Sequence, residues 1–257
     1  MAVIRIIHHL SSSGGTVISK CLAALPSVVL AGELHPTTMT GLWNPYDVFQ
    51  VVQTSGVGLK FTDKQLKAEF LRRMKVFLAI AERNERIIVV RNHAHSDYLG
   101  KHATGRLAIR DVLGDAGYEL SEACTIRDPV DAWLGMIDND FHRFLSSFDE
   151  YCSKVEHFLS NFENTSIVRY EDFTRDPAGT LLILCERLRL KFDPAALEKF
   201  SKARLSGNSG RAARSKKIEP LQRRPFHADF SDEVLRAEHY RHLAERFGYS
   251  FLPAEPE

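Results

Sequence analysis

The stretch Val3-Ile4-Arg5-Ile6-Ile7-His8-His9-Leu10-Ser11-Ser12-Ser13-Gly14-Gly15-Thr16 decides how the rest of the chain is read. Its β-branched half, Val3 to Ile7, has the composition of a buried strand. His8 to Gly15 is small and polar and predicts a loop. From Thr16 to Leu25 the apolar residues Val17, Cys21, Leu22 and Leu25 fall at helical spacing. Strand, Gly-rich loop and helix in that order make a site for an anion. Glycines let the backbone turn so that successive N–H groups point one way, the helix N-terminus adds its positive end, and hydroxyls add donors. A plain turn from strand to helix uses the same residues. The position after the first strand favours the cradle. Ser12, Ser13, Gly14, Gly15, Thr16 and Val17 are its candidate residues.

Working outward, Val28 to Leu30, Ile87 to Val90, Ala123 to Ile126 and Ser166 to Val168 are further short strands. Asp63 to Arg83 has one apolar stripe and predicts a long helix. Asn44 to Ser55 is a candidate short helix. Asp128-Pro129 and Asp176-Pro177 each place an N-cap before a proline suited to the first helical position. Phe148 to Phe162 and Ser231 to Phe247 predict helices, the latter stopped by Gly248. Strands alternating with helices predict an α/β domain: a central parallel sheet of about five strands flanked by helices, of P-loop nucleotide-binding type. At 257 residues, the chain is expected to be one such domain over 1–257. A basic mobile loop is expected at about 201–225, followed by the closing helix.

The net charge of +1 gives no bulk attraction to nucleic acid or membrane. It conceals the stretch from Lys199 to Arg224, where Glu219 is the sole acid among many cations. Cys21, Cys124, Cys152 and Cys185 have no metal-ligand spacing and sit in apolar segments, as reduced core residues do. No apolar run reaches the length of a membrane span. With no signal-like leader, the expected location is the cytoplasm.

Four stretches carry chemistry. The first is the cradle. It lacks the lysine of the nucleoside-triphosphatase loop, and no apolar strand ends in a metal-binding Asp. That combination tilts toward transfer of a less charged group than phosphoryl. The second is Thr125-Ile126-Arg127-Asp128-Pro129, with Arg127 where a parallel strand ends and a guanidinium suits a terminal phosphate. A surface pair of Arg127 with Asp128 or Asp131 is the bland alternative. The third is Val168-Arg169-Tyr170-Glu171-Asp172-Phe173, followed by Arg175-Asp176-Pro177. The fourth, Leu205 to Arg211, is glycine-rich and basic, as suits a lid over an anion or equally a solvated loop.

Together these stretches resemble the sulfotransferases that use 3′-phosphoadenosine 5′-phosphosulfate (PAPS), over about Ile4 to Arg211. The resemblance implies a PAPS donor, no required metal, and in-line transfer of a sulfuryl group to a hydroxyl or amine of a small-molecule or glycan acceptor. It implies that the first loop holds the 5′-phosphosulfate and that Arg127 holds the 3′-phosphate. A loop with Ser209, Gly210 and Arg211 would close over the nucleotide. Two positions depart from the family. Ser12 stands where a Lys or Arg is usual, and Gly135 where a Ser helps hold the 3′-phosphate. Arg211, His8 or His9 are candidate replacements. The base is Glu33, where protein-tyrosine sulfotransferases carry a glutamate, or His93, where cytosolic members carry a histidine. His35, His93 and His95 as a metal set lack supporting spacing. The acceptor pocket is expected from Thr37 to Tyr46, with Trp43, and from Phe141 to Phe148, with Phe144. A small-molecule kinase, or a weakened member that only binds the nucleotide, are the competing readings.

Overall fold

A computed structural model describes residues 3–38, 61–205 and 217–250. Five strands form one sheet: β1 (Val3–His9), β2 (Val28–Leu34), β3 (Ile87–Asn92), β4 (Glu119–Ile126) and β5 (Ile167–Arg169). Their order is β2-β3-β1-β4-β5 and every pairing is parallel. The helices are α1 (Gly15–Ala23), α2 (Asp63–Arg83), α3 (Ala94–Tyr98), α4 (Ala108–Asp115), α5 (Pro129–Asp138) and α6 (Phe148–Leu159). They continue with α7 (Tyr170–Arg175), α8 (Pro177–Arg187), α9 (Ala196–Lys199), α10 (Ala228–Arg236) and α11 (Glu238–Phe247).

Alternation along β1 shows why both sheet faces are covered. Ile4 and Ile6 pack with Met74 of α2 and with Ile109 and Leu113 of α4. Ile7 points the other way, into a cluster with Val17, Ile18 and Leu22 of α1 and Leu181 and Leu184 of α8. A third cluster joins Trp133 of α5, Tyr151 and Phe158 of α6, and Tyr240 and Leu243 of α11. All four cysteines are free and buried in these clusters. No helix among the described residues is long and apolar enough to cross a membrane.

Several expectations are corrected. β1 runs on through His8 and His9, which pair in register with Cys124 and Thr125, so the cradle loop is shorter than its polar composition predicts. β4 starts at Glu119, because Ser121 and Glu122 are held by a neighbouring carbonyl and by His8 instead of facing water. Glu33 lies within β2, in the irregularity between Ala31 and Leu34, and not beyond the strand. Beyond β3 the chain turns directly into the short helix α3. The closing helix is two helices, α10 and α11, separated by an extended Ala237. The segment Asn44 to Ser55 and the residues Ser209, Gly210 and Arg211 lie outside the described residues.

Candidate active site

The C-terminal ends of β1, β2, β3 and β4 surround a cavity of about 280 Å³. This is the edge of an open parallel sheet where ligands bind. Its floor is the loop after β1 and the first turn of α1, namely Ser11, Ser12, Gly14, Gly15, Thr16 and Val17. The backbone there must be close. Gly14 is in the left-handed region, φ 79°, and a Cβ on it would stand 2.1 Å from the Tyr170 ring. A Cβ on Gly15 would stand 2.3 Å from the His9 ring. Only glycine fits these two positions. Ser13 departs from expectation. Its hydroxyl donates to the Leu10 carbonyl at 2.7 Å, and it fixes the loop from behind without bordering the cavity.

Arg127 follows β4 and borders the cavity with 8 % of its surface exposed. It is a buried group, not a surface pair. Its guanidinium lies over the Tyr170 ring at 5.1 Å, and Asp131 is 3.8 Å away. The Glu171 carboxylate accepts the Asp128 N–H at 2.9 Å, and the Asp128 side chain caps α5 through the Val130 N–H. The Tyr170 ring therefore packs between Gly14 and Arg127, and three separate sequence stretches meet on it.

Ser12 and Gly135 prove to be neighbours. Ser12 is in the left-handed region, φ 61°. A Cβ on Gly135 would stand 3.0 Å from the Ser12 Cβ, 3.2 Å from its Oγ and 3.5 Å from an Arg224 nitrogen. The two small residues make one space between loop and α5, and Arg224 enters it. Arg224 borders the cavity and pairs with Asp138, while its backbone N–H donates to Asp131 at 3.2 Å. Arg223 beside it pairs with Asp128. This end of the basic stretch is thus fastened to α5.

On the opposite wall, Arg91 at the end of β3 is 4 % exposed. It donates to His9 Nε2 at 2.7 Å and to Thr16 Oγ1 at 3.1 Å, and lies 3.2 Å from Glu33. His93 stands at the N-terminal end of α3 with its Nδ1 2.8 Å from Ser96 Oγ, which leaves Nε2 for another partner. His95 Nδ1 is 2.7 Å from Ser11 Oγ. Glu33, His93 and His95 all border the cavity. His35 pairs with Asp97 at 3.0 Å. His8 is fully buried between Glu122 and Asn92 and does not reach the cavity, whereas His9 does. Phe141 borders the cavity and Phe144 is exposed, but Phe148 is a core residue packed on Tyr151 and Tyr240. Arg91, His95 and Arg224 carry no motif that would single them out in the sequence.

Burial lowers the pKa of His8, His9, His93 and His95, the last to about 4. Each stays neutral in the fold and gains its proton more readily when unfolded. Such a group contributes stability above its ordinary value of 6.5, and that contribution is lost as pH falls toward the folded value. Asp128, raised to about 6 by burial, acts in the opposite sense over part of this window. The expected outcome is a thermal midpoint that falls between pH 6.5 and about 4, with a shallower slope for His95→Asn. A midpoint that holds or rises on acidification would contradict it.

No protein-family model and no curated protein matches the chain. Solved structures do. The sulfotransferase domain from the curacin biosynthetic pathway aligns with a TM-score of 0.54 at 17% identity, over 97% of this chain and 99% of that one. The sulfotransferase domain from the Synechococcus PCC 7002 olefin synthase aligns with a TM-score of 0.52 at 18% identity, over 98% and 96%. With a parallel sheet in the order β2-β3-β1-β4-β5 and a glycine-bearing loop after β1, the chain has the fold of the sulfotransferases.

Proposed function

We propose that this chain is a sulfotransferase that uses PAPS as donor and a hydroxyl or amine as acceptor. One observation carries the reading. Backbone donors of the loop after β1, the cations Arg127 and Arg224, and His93 border a single cavity at the C-terminal edge of the sheet. The donor set fits a nucleotide with two separate anionic ends. Gly14, Gly15 and Thr16 present N–H groups and a helix N-terminus to the 5′-phosphosulfate, and Val17, whose N–H donates to the Gly14 carbonyl, closes the turn beside them. Arg127 and Arg224 face the 3′-phosphate, with Ser12 as a hydroxyl donor between them. Arg224 takes the place left by the two small residues, in preference to His8, which is buried elsewhere.

When bound, PAPS supplies the sulfuryl group. His93 Nε2 accepts the acceptor's proton as the new O–S (or N–S) bond forms and the bond from sulfur to the bridging phosphate oxygen breaks. The products are the sulfated acceptor and 3′,5′-adenosine bisphosphate. Burial holds His93 neutral, the form a base needs. Glu33 lies against Arg91, so its charge is already engaged. Arg91 holds Thr16 and His9 in place at the mouth of the cradle. Phe141, in edge contact with His95, gives the acceptor side an apolar wall that suits an aromatic or apolar acceptor.

The test is thermal stabilisation by 3′,5′-adenosine bisphosphate, AMP, ATP and sulfate. Selective stabilisation by the bisphosphate supports the proposal. Stronger stabilisation by ATP with Mg²⁺ would favour a kinase instead.

A further inference from the structure

Away from the cavity, the packing of α11 on α6 brings together three side chains of ligand type. Glu156 lies on α6; His239 and His242 lie on the first two turns of α11. Side chains three apart on a helix share a face. His239 Nδ1 bonds to one Glu156 oxygen, and His242 Nδ1 is 3.3 Å from the other. One ligand atom from each of the three lies within 4.8 Å of the others. We propose that Glu156, His239 and His242 bind a divalent transition-metal ion, Zn²⁺ foremost, which fastens α11 to α6. The site rests on no assumption about the nucleotide.

Donor chemistry selects the ion. Two imidazoles and one carboxylate suit Zn²⁺, Cu²⁺ or Ni²⁺, whereas Mg²⁺ and Ca²⁺ seek oxygen ligands. The geometry agrees. Tetrahedral bonds of about 2.0–2.1 Å put neighbouring ligand atoms about 3.3 Å apart, the separation already found between Glu156 and His242. The three side chains are 28%, 39% and 54% exposed, so solvent reaches the ion and a water can complete its shell. Asp149, two turns before Glu156 on the same face of α6, accepts the His239 backbone N–H at 3.0 Å. Its charge and that of Glu238 act on His239 and add to the negative potential at the site.

Calorimetric titration of the full chain with Zn²⁺ at neutral pH tests this, beside His242→Ala and Glu156→Gln. Both residues are partly exposed, and each variant keeps the apolar packing of α11. The expected result is one ion per chain, with affinity reduced at least about tenfold in either variant. Zn²⁺ should raise the thermal midpoint of the unmodified chain by mass action and raise it less in the variants. Absence of binding, equal binding by the variants, or a preference for Mg²⁺ would each overturn the proposal. Equal binding would place the ion on other histidines, such as His93 and His95.

Discussion

Replacement of His93 by alanine is expected to lower the turnover of sulfuryl transfer about 10²–10⁴-fold, the usual contribution of a general base. Affinity for 3′,5′-adenosine bisphosphate should stay the same, because His93 sits across the cavity from Arg127 at the end of a different strand. The measurement is release of the bisphosphate from PAPS with a panel of phenols and sugars as acceptors, beside calorimetric affinity for the nucleotide. A base works in its neutral form. Burial lowers the His93 pKa, so the acid limb of the rate profile should lie below the ordinary histidine value of 6.5. His93→Gln keeps a hydrogen-bonding group but cannot take a proton, and should be as impaired as the alanine variant. Glu33→Gln is the counter-test. If it abolishes turnover while His93→Ala does not, the base is Glu33 and its pair with Arg91 must open during catalysis.

Local patterning located what depends on local physics. The helix Asp63–Arg83 is legible to the residue, because Thr62 and Gln65 form a reciprocal cap and Asn84 ends the apolar stripe. The loop after β1 and Arg127 are legible too, since glycine spacing and an arginine at a strand exit are features of short segments. What was hidden depends on tertiary approach. Ser12 and Gly135 look like two separate departures in sequence, yet they face each other across the loop and α5. Arg224 is one cation among many in a basic stretch, and only Asp131 and Asp138 of α5 select it for the cavity. The break at Ala237 was illegible for a different reason. Alanine is the best helix former, so nothing local interrupts the helical period there. Phe148 resembled a pocket aromatic because the rings at 141 and 144 precede it, but it falls in the first turn of α6, on the side that meets Tyr240.

Replacement of Arg127 by alanine is expected to weaken binding of 3′,5′-adenosine bisphosphate by roughly 1.5–3 kcal/mol, the scale of a hydrogen bond to a charged group. That is about 10- to 150-fold in Kd. AMP, which lacks the 3′-phosphate, should bind the variant and the unmodified chain alike, so the two nucleotides converge. The selectivity of the loss separates a ligand contact from a folding defect. Arg127 also lies over Tyr170 and near Asp131, and its removal loosens the wall behind Gly14. A general loosening would weaken both nucleotides together. Arg127→Lys keeps the charge but loses the paired N–H geometry and the flat stacking surface, and should recover only part of the affinity. Arg224→Ala supplies the second half of the test. Arg127 and Arg224 are both cationic neighbours of one cavity, and burial together with the nearby Arg127 charge lowers the Arg224 pKa. A phosphate dianion between them would relieve that repulsion. Each single loss should then cost affinity, and the double variant should lose less than the sum, because the remaining arginine in each single variant no longer faces a like charge. Equal affinities for the bisphosphate and AMP in the unmodified chain would remove the 3′-phosphate from this site, and with it the case for PAPS as donor.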